Sequence, residues 1–253
     1  MPASSPSLQD LCELGSEQLI QTKYLDAEAT LAGAEAEAWN NRDWDTLARL
    51  YMPLQEARRQ RRQRCGEGVV ALDLMAQGPS DRVNARHVLE NFPHGQLLVA
   101  GWHSAEPAIE LRRLAAELGL YVETFLGAVY QVGGRKQIVI APHEDAALPA
   151  RDFENVDDLK AHLPANCLFA DEGDISRGHR KGTPETFGEV MALWERLHTP
   201  FLAAADAESD PVRQIEGYRM TTGVDYASEL AHQKLSDVAH RMSREARQRA
   251  RGG

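Results

Sequence analysis

Val69-Val70-Ala71-Leu72-Asp73-Leu74 reads as a buried strand, and the fold turns on it. Leu97-Leu98-Val99-Ala100 reads as a second. Between them, Ser80 and Asp81 are placed to cap a helix running to about Asn91. After the second run, Ser104 is placed to cap a helix over 106–118, with Pro107 in its first turn and Gly119 at its end. Residues 121–132 and 136–141 then read as a hairpin around Gly133-Gly134. Strand, helix, strand, helix, strand is the order that builds a parallel sheet with right-handed crossovers, and the hairpin adds an antiparallel edge.

Outward from this centre the period changes. Leu8, Leu11, Leu14 and Ile20, and then Tyr24, Ala27, Leu31 and Ala34, follow helical spacing. Asn40-Asn41-Arg42-Asp43 is a turn signal. A third helix is predicted over about 44–64, with Leu47, Leu50, Tyr51 and Leu54 on one side and Pro53 kinking it or marking its true start. Residues 143–183 read mostly as loop, with a short helix at 156–162 and a strand at 166–170. A helix from Pro184, capped by Thr183, runs to about Leu202 and should bend or end at Pro200. Two more helices follow near 211–220 and 226–247. The predicted class is α/β: a mostly parallel small sheet with an antiparallel edge hairpin, framed by N- and C-terminal helical hairpins. The expected organisation is a disordered tail at 1–7, a helical region at 8–66, an α/β domain at 67–175 and a helical region at 183–249.

Composition narrows the function classes. The 253 residues carry a net charge of −10, which disfavours a general nucleic-acid binder. Cys12, Cys65 and Cys167 are sparse and odd in number, which fits a reducing compartment and no disulfide framework. Residues 1–7 lack the pattern of a signal peptide, and no stretch reaches the length needed to span a bilayer. A cytoplasmic protein with no membrane partner and no cofactor is expected. Two basic runs, Arg58 to Arg64 and Arg241 to Arg251, would meet phosphate or an acidic partner, or form solvated helix faces.

Leu11, Leu14, Gly15, Ala27, Leu31 and Ala34 fall where two short antiparallel helices need apolar and small contacts. The stretch 8–41 resembles one tetratricopeptide repeat, with Leu11 where that family places a large aromatic residue. The resemblance implies recognition of a protein partner. One such repeat cannot bury its face alone and must stack on a neighbour.

The second candidate is Gly101-Trp102-His103-Ser104-Ala105-Glu106, at the carboxyl end of a strand, where open α/β sheets gather ligands. Gln77, Gly78 and Ser80, and the 133–136 turn, are expected at the same end. Residues 96–126 resemble the second motif of sugar-isomerase (SIS) phosphosugar domains, without the glycine-rich first motif. That resemblance implies that Ser104 binds phosphate and that His103 or Glu106 moves a proton. Arg177, Arg180, Lys181 and Thr183 lie in a basic, glycine-containing loop before a helix, a candidate phosphate clamp without the order of a nucleotide P-loop. Glu195 with His198 and Glu229 with His232 are two ExxH pairs of the kind used in di-iron bundles, although the α/β centre argues against that fold and no metal is expected. Two functions follow: partner recognition or scaffolding through the helices, or binding or isomerisation of a phosphosugar- or nucleotide-type small molecule at the strand ends.

Overall fold

Strands β1 (Val69–Met75), β2 (Gly95–Trp102) and β3 (Val122–Val132) form over the three apolar runs and pair in parallel. The computed structural model describes residues 6–171, 175 and 178–252. Helices α4 (Ala85–Asn91) and α5 (Glu106–Glu117) make the two crossovers. β4 (Arg135–Ala141) turns back on β3, and β5 (Leu168–Asp171) pairs antiparallel with β4. At the other edge β6 (Arg180–Lys181) pairs antiparallel with Val69 and Val70. The sheet order is β5-β4-β3-β2-β1-β6. The class is α/β, with a parallel centre, antiparallel edges and helices at both termini.

The remaining helices are α1 (Leu8–Ile20), α2 (Tyr24–Asn40), α3 (Trp44–Glu67), α6 (Val156–His162), α7 (Pro184–Ala207), α8 (Pro211–Val224) and α9 (Glu229–Gly252). The contacts divide the chain into two units, Met1–Arg61 with His198–Gly253, and Arg62–Leu197. The first is helical and the second holds the sheet.

In the sheet unit, α4 and α5 pack on one face, where Leu97, Val99, Val122 and Leu126 meet Val88, Leu89, Leu111 and Ala115. Both crossovers run the same way across the sheet, so right-handed connections put both helices on that face. The opposite face carries a polar group in its core. Glu123 of β3 sits in register with Gln96 of β2. Arg62 donates to Glu123 from Nε and Nη2, both at 3.0 Å from Oε1. Gln96 donates to the other carboxylate oxygen. The Arg62 and Glu123 side chains are 7% and 1% exposed. Trp194 of α7 stacks on Phe125 with ring centroids 4.0 Å apart, and Arg62 lies over the same indole.

In the helical unit, Ser7 and Asp10 close a reciprocal cap at the start of α1. The expectation of small residues between α1 and α2 holds: Ala27 and Ala34 have no exposed surface, and a Cβ on Gly15 would lie 2.5 Å from Cγ of the buried Leu31. Gly15→Val is therefore expected to cost about 1–3 kcal/mol through overpacking, read as a lowered urea midpoint with an unchanged slope.

Several boundaries differ from the sequence reading. α4 begins at Ala85, and its cap is Asn84, which accepts from the His87 N–H at 3.0 Å. Ser80 is exposed, and Asp81 instead accepts from the Gln77 N–H at 2.7 Å, so the upstream candidates serve a turn rather than a helix start. Asp43 starts α3 by accepting from Thr46, and the helix continues through Pro53. α7 likewise continues through Pro200 to Ala207. Buried residues flank both prolines, Tyr51 and Leu54 around the first and Leu197 and Phe201 around the second, and their packing offsets the lost backbone bond.

Candidate functional site

The helical unit holds a cleft of about 470 Å³. Helical periodicity sets one wall: Tyr51, Leu54 and Arg58 of α3 share one face at three- and four-residue spacing. Glu35 comes from α2, Glu216, Arg219 and Met220 from α8, and His232 and Leu235 from α9. Tyr51 donates to Oε1 of Glu35 at 3.1 Å, and Arg219 grips the same carboxylate from Nε at 2.6 Å and Nη2 at 3.1 Å. Burial, with Glu35 alongside, pushes the Tyr51 phenol well above its ordinary range, so it stays a donor.

Arg58 is held differently. Its Nη1 lies 3.1 Å from Nε2 of His232, and the His232 Nδ1 lies 2.8 Å from the Ser228 carbonyl. Arginine only donates, so Nε2 accepts and the proton sits on Nδ1. The ring is neutral: burial, reinforced by the Arg58 cation, pushes its pKa down to about 3. Nε of Arg58 approaches Glu28 at 3.4 Å, whereas Arg61 takes the short 2.8 Å contact with that carboxylate. Glu216, by contrast, is exposed at the mouth and makes no hydrogen bond or ion pair among the described residues. Met220 beside it is 54% exposed.

The sheet unit holds a second pocket, of about 410 Å³, at the carboxyl ends of β1 and β2. Ser104 and Glu106 line it, together with Asp81, Arg82, Trp102 and Glu110. Ser104 accepts from the Glu106 N–H at 3.1 Å, as expected for the start of α5, although the cap position itself is Ala105. Three carboxylates face one arginine here, which opposes a phosphate. The parallel strands also run in one direction, β1 to β3, without the reversal of order that opens a ligand crevice in doubly wound sheets.

The other predicted residues are dispersed. Gln77 meets the turn after β3, accepting from Lys136 at 2.7 Å, and Gly78 accepts from the Asp81 N–H. His103 adopts a left-handed backbone (φ 57°) and points to Asp152, with Nε2 2.6 Å from Oδ1, while its ring stacks on Tyr130. Burial works against the Asp152 charge, but the His103 and Gln131 hydrogen bonds hold its carboxyl below the usual range. Asp152 carries no signal in the sequence that would link it to His103. Arg177 lies outside the described residues. Arg180 and Lys181 pair with the amino end of β1, away from Ser104, and Arg180 is occupied by Glu189 at 2.6 Å. Thr183 caps α7 in mutual bonds with Thr186. Gly182 serves close approach of backbones: a Cβ there would lie 2.1 Å from the Gly66 carbonyl oxygen.

The 58–64 basic run is divided: Arg58, Arg61 and Arg62 turn inward, while Arg59 and Arg64 stay on a solvated face. Arg58 and Arg61 face Glu28, Arg62 faces Glu123, Arg59 faces Glu56 and Arg64 faces Glu67. The ExxH histidines are also engaged, His198 by Asp225 at 2.7 Å and His232 by Arg58, and a cation facing its lone pair bars His232 from a metal. Among the described residues no group of three or more His, Cys, Asp or Glu could hold a metal ion, and no helix is long and apolar enough to cross a membrane.

No protein family model matches the chain, and neither a curated protein nor a solved structure shows significant similarity to it.

Proposed function

We propose that this chain is a recognition protein whose helical unit engages a protein partner through the cleft between α2, α3, α8 and α9. The observation that carries this reading is the cleft's construction. Its floor is apolar (Tyr51, Leu54, Leu235), its wall is a fixed ion pair (Glu35 and Arg219), and its mouth exposes Met220 beside Glu216, which is unpaired among the described residues. An apolar floor with a few oriented polar groups is what specific binding needs, and an adaptable methionine suits a recognition surface. The resemblance of residues 8–41 to a tetratricopeptide repeat supports the same function. A sparse and odd count of three cysteines, Cys65 among them buried, supports a reducing, cytoplasmic location.

The alternative, a phosphorylated small molecule at the strand ends, draws support from Ser104 at the start of α5. The acidic lining of that pocket weighs against it. A photo-crosslinking residue at position 220, incorporated in cells, is expected to trap a protein. Met220→Glu should weaken binding of that protein by about tenfold or more, while Ser104→Ala leaves it unchanged. Loss of binding in Ser104→Ala with no effect of Met220→Glu would reverse the assignment.

A further inference from the structure

We propose that the cleft of the helical unit is a site for a monocarboxylate with an apolar body, seated with its carboxylate on Arg58. This rests on the reading of that cleft as the recognising element and names a charged group that it takes.

The argument is one of charge left over. Glu35 accepts three hydrogen bonds, from Tyr51 and from two nitrogens of Arg219, so that pair is mutually satisfied. Arg58 is not served in this way. Among the described residues its hydrogen bond goes to a neutral imidazole, which fixes the guanidinium without cancelling its charge. Its carboxylate neighbour, Glu28, is 3.4 Å from Nε and gives its short contact to Arg61. The Arg58 side chain is 16% exposed, so solvent neutralises this cation only in part. A planar guanidinium held in place on a half-dry wall is a carboxylate receptor. Around it, the half-exposed Met220 and the edges of Leu54 and Leu235 line the same space, an apolar lining for a hydrocarbon body. Glu35 and Glu216 line the same space, so a second negative charge on the ligand is repelled. That selects a monocarboxylate over a phosphate. The cleft's volume of about 470 Å³ is in the range of small-molecule sites.

The test uses the full chain and four probes: octanoate, octanamide, octyl phosphate and a peptide amide of matched apolar content, titrated by calorimetry. Octanoate is expected to bind, and octanamide and the peptide amide to bind about tenfold to a hundredfold more weakly, the worth of a charge-assisted hydrogen bond. Arg58→Met should reduce octanoate binding to the octanamide level, with its circular dichroism confirming the fold. Met220→Glu leaves Arg58 in place and should also weaken octanoate, by repulsion at the mouth. Equal binding of octanoate and octanamide, tighter binding of octyl phosphate, undiminished binding in Arg58→Met, or no binding of octanoate would each overturn the proposal. If octanoate binds as expected but no protein is trapped from position 220, the partner reading fails alone. If a protein is trapped and octanoate does not bind, this inference fails alone.

Discussion

Glu123→Gln is expected to destabilise the protein by about 3–5 kcal/mol. The carboxylate is 1% exposed and receives Arg62 and Gln96 from two directions. Glutamine keeps the shape but removes the negative charge that Arg62, itself 7% exposed, meets in the core of the sheet unit. The penalty comes from weakening a charge-assisted contact at a buried cation, and it exceeds the net worth of the pair. The double variant Arg62→Met with Glu123→Met is therefore expected to recover most of the loss, since apolar groups of similar volume replace buried pairs at little cost. Urea unfolding followed by circular dichroism reads both. A loss below about 1 kcal/mol for Glu123→Gln would place the pair in solvent, contrary to the burial on which this expectation stands.

The second large effect is acid sensitivity from His232. Its ring has no exposed surface and is held neutral by burial and by Arg58, with a pKa near 3 against an ordinary 6.5. In the unfolded chain the same ring takes a proton as pH falls through 6.5, while the folded chain refuses it until about pH 3. The unfolded state then binds more protons, so stability falls as pH drops across that window, by about 1.4 kcal/mol per pH unit below the unfolded pKa. Above it this contribution is complete and flat. Carboxylates titrate in the lower part of the same range, so the informative quantity is the difference between wild type and His232→Gln. The wild-type stability should fall more steeply from pH 6 to pH 5, where few carboxylates change charge. Parallel curves would mean that His232 takes up its proton in the folded protein as it does in the unfolded chain, against the burial and the Arg58 contact that this expectation stands on.

How much of this was legible in the sequence depends on how local each cause is. The strands follow from apolar runs, and the β3–β4 turn from Gly133-Gly134, both of which adopt positive φ. The need for a small residue at Gly15 also follows from spacing alone. The start of α4 does not, because Ser80, Asp81 and Asn84 are all competent caps and the choice falls to a turn that consumes Asp81. Pro53 and Pro200 mislead because burial on either side of each outweighs a local backbone defect.

The arginine run is the more instructive case. Its charge suggests solvent, yet Arg58 and Arg62 continue the phase of Tyr51 and Leu54, and that phase points inward. Reading phase before charge would have moved both residues from the surface to the interior. The cleft itself had no such signal. Its walls come from α2, α3, α8 and α9, and nothing in the sequence brings Glu35 to Arg219, 184 positions away. The strand-end segment was legible in part: Gly101 and Trp102 still belong to β2, and Ser104 does meet the first turn of α5, but its surroundings are acidic for a reason that only the fold reveals, since Asp81 converges on Glu106 and Glu110 of α5.

The most direct measurement is hydrogen–deuterium exchange on the full chain, with and without the protein trapped from position 220. Slowed exchange is predicted around residues 51–58 of α3 and 216–223 of α8, with the strand-end segments 81–84 and 101–106 unchanged. Protection confined to those strand-end segments would contradict the account and move recognition from the helical unit to the sheet.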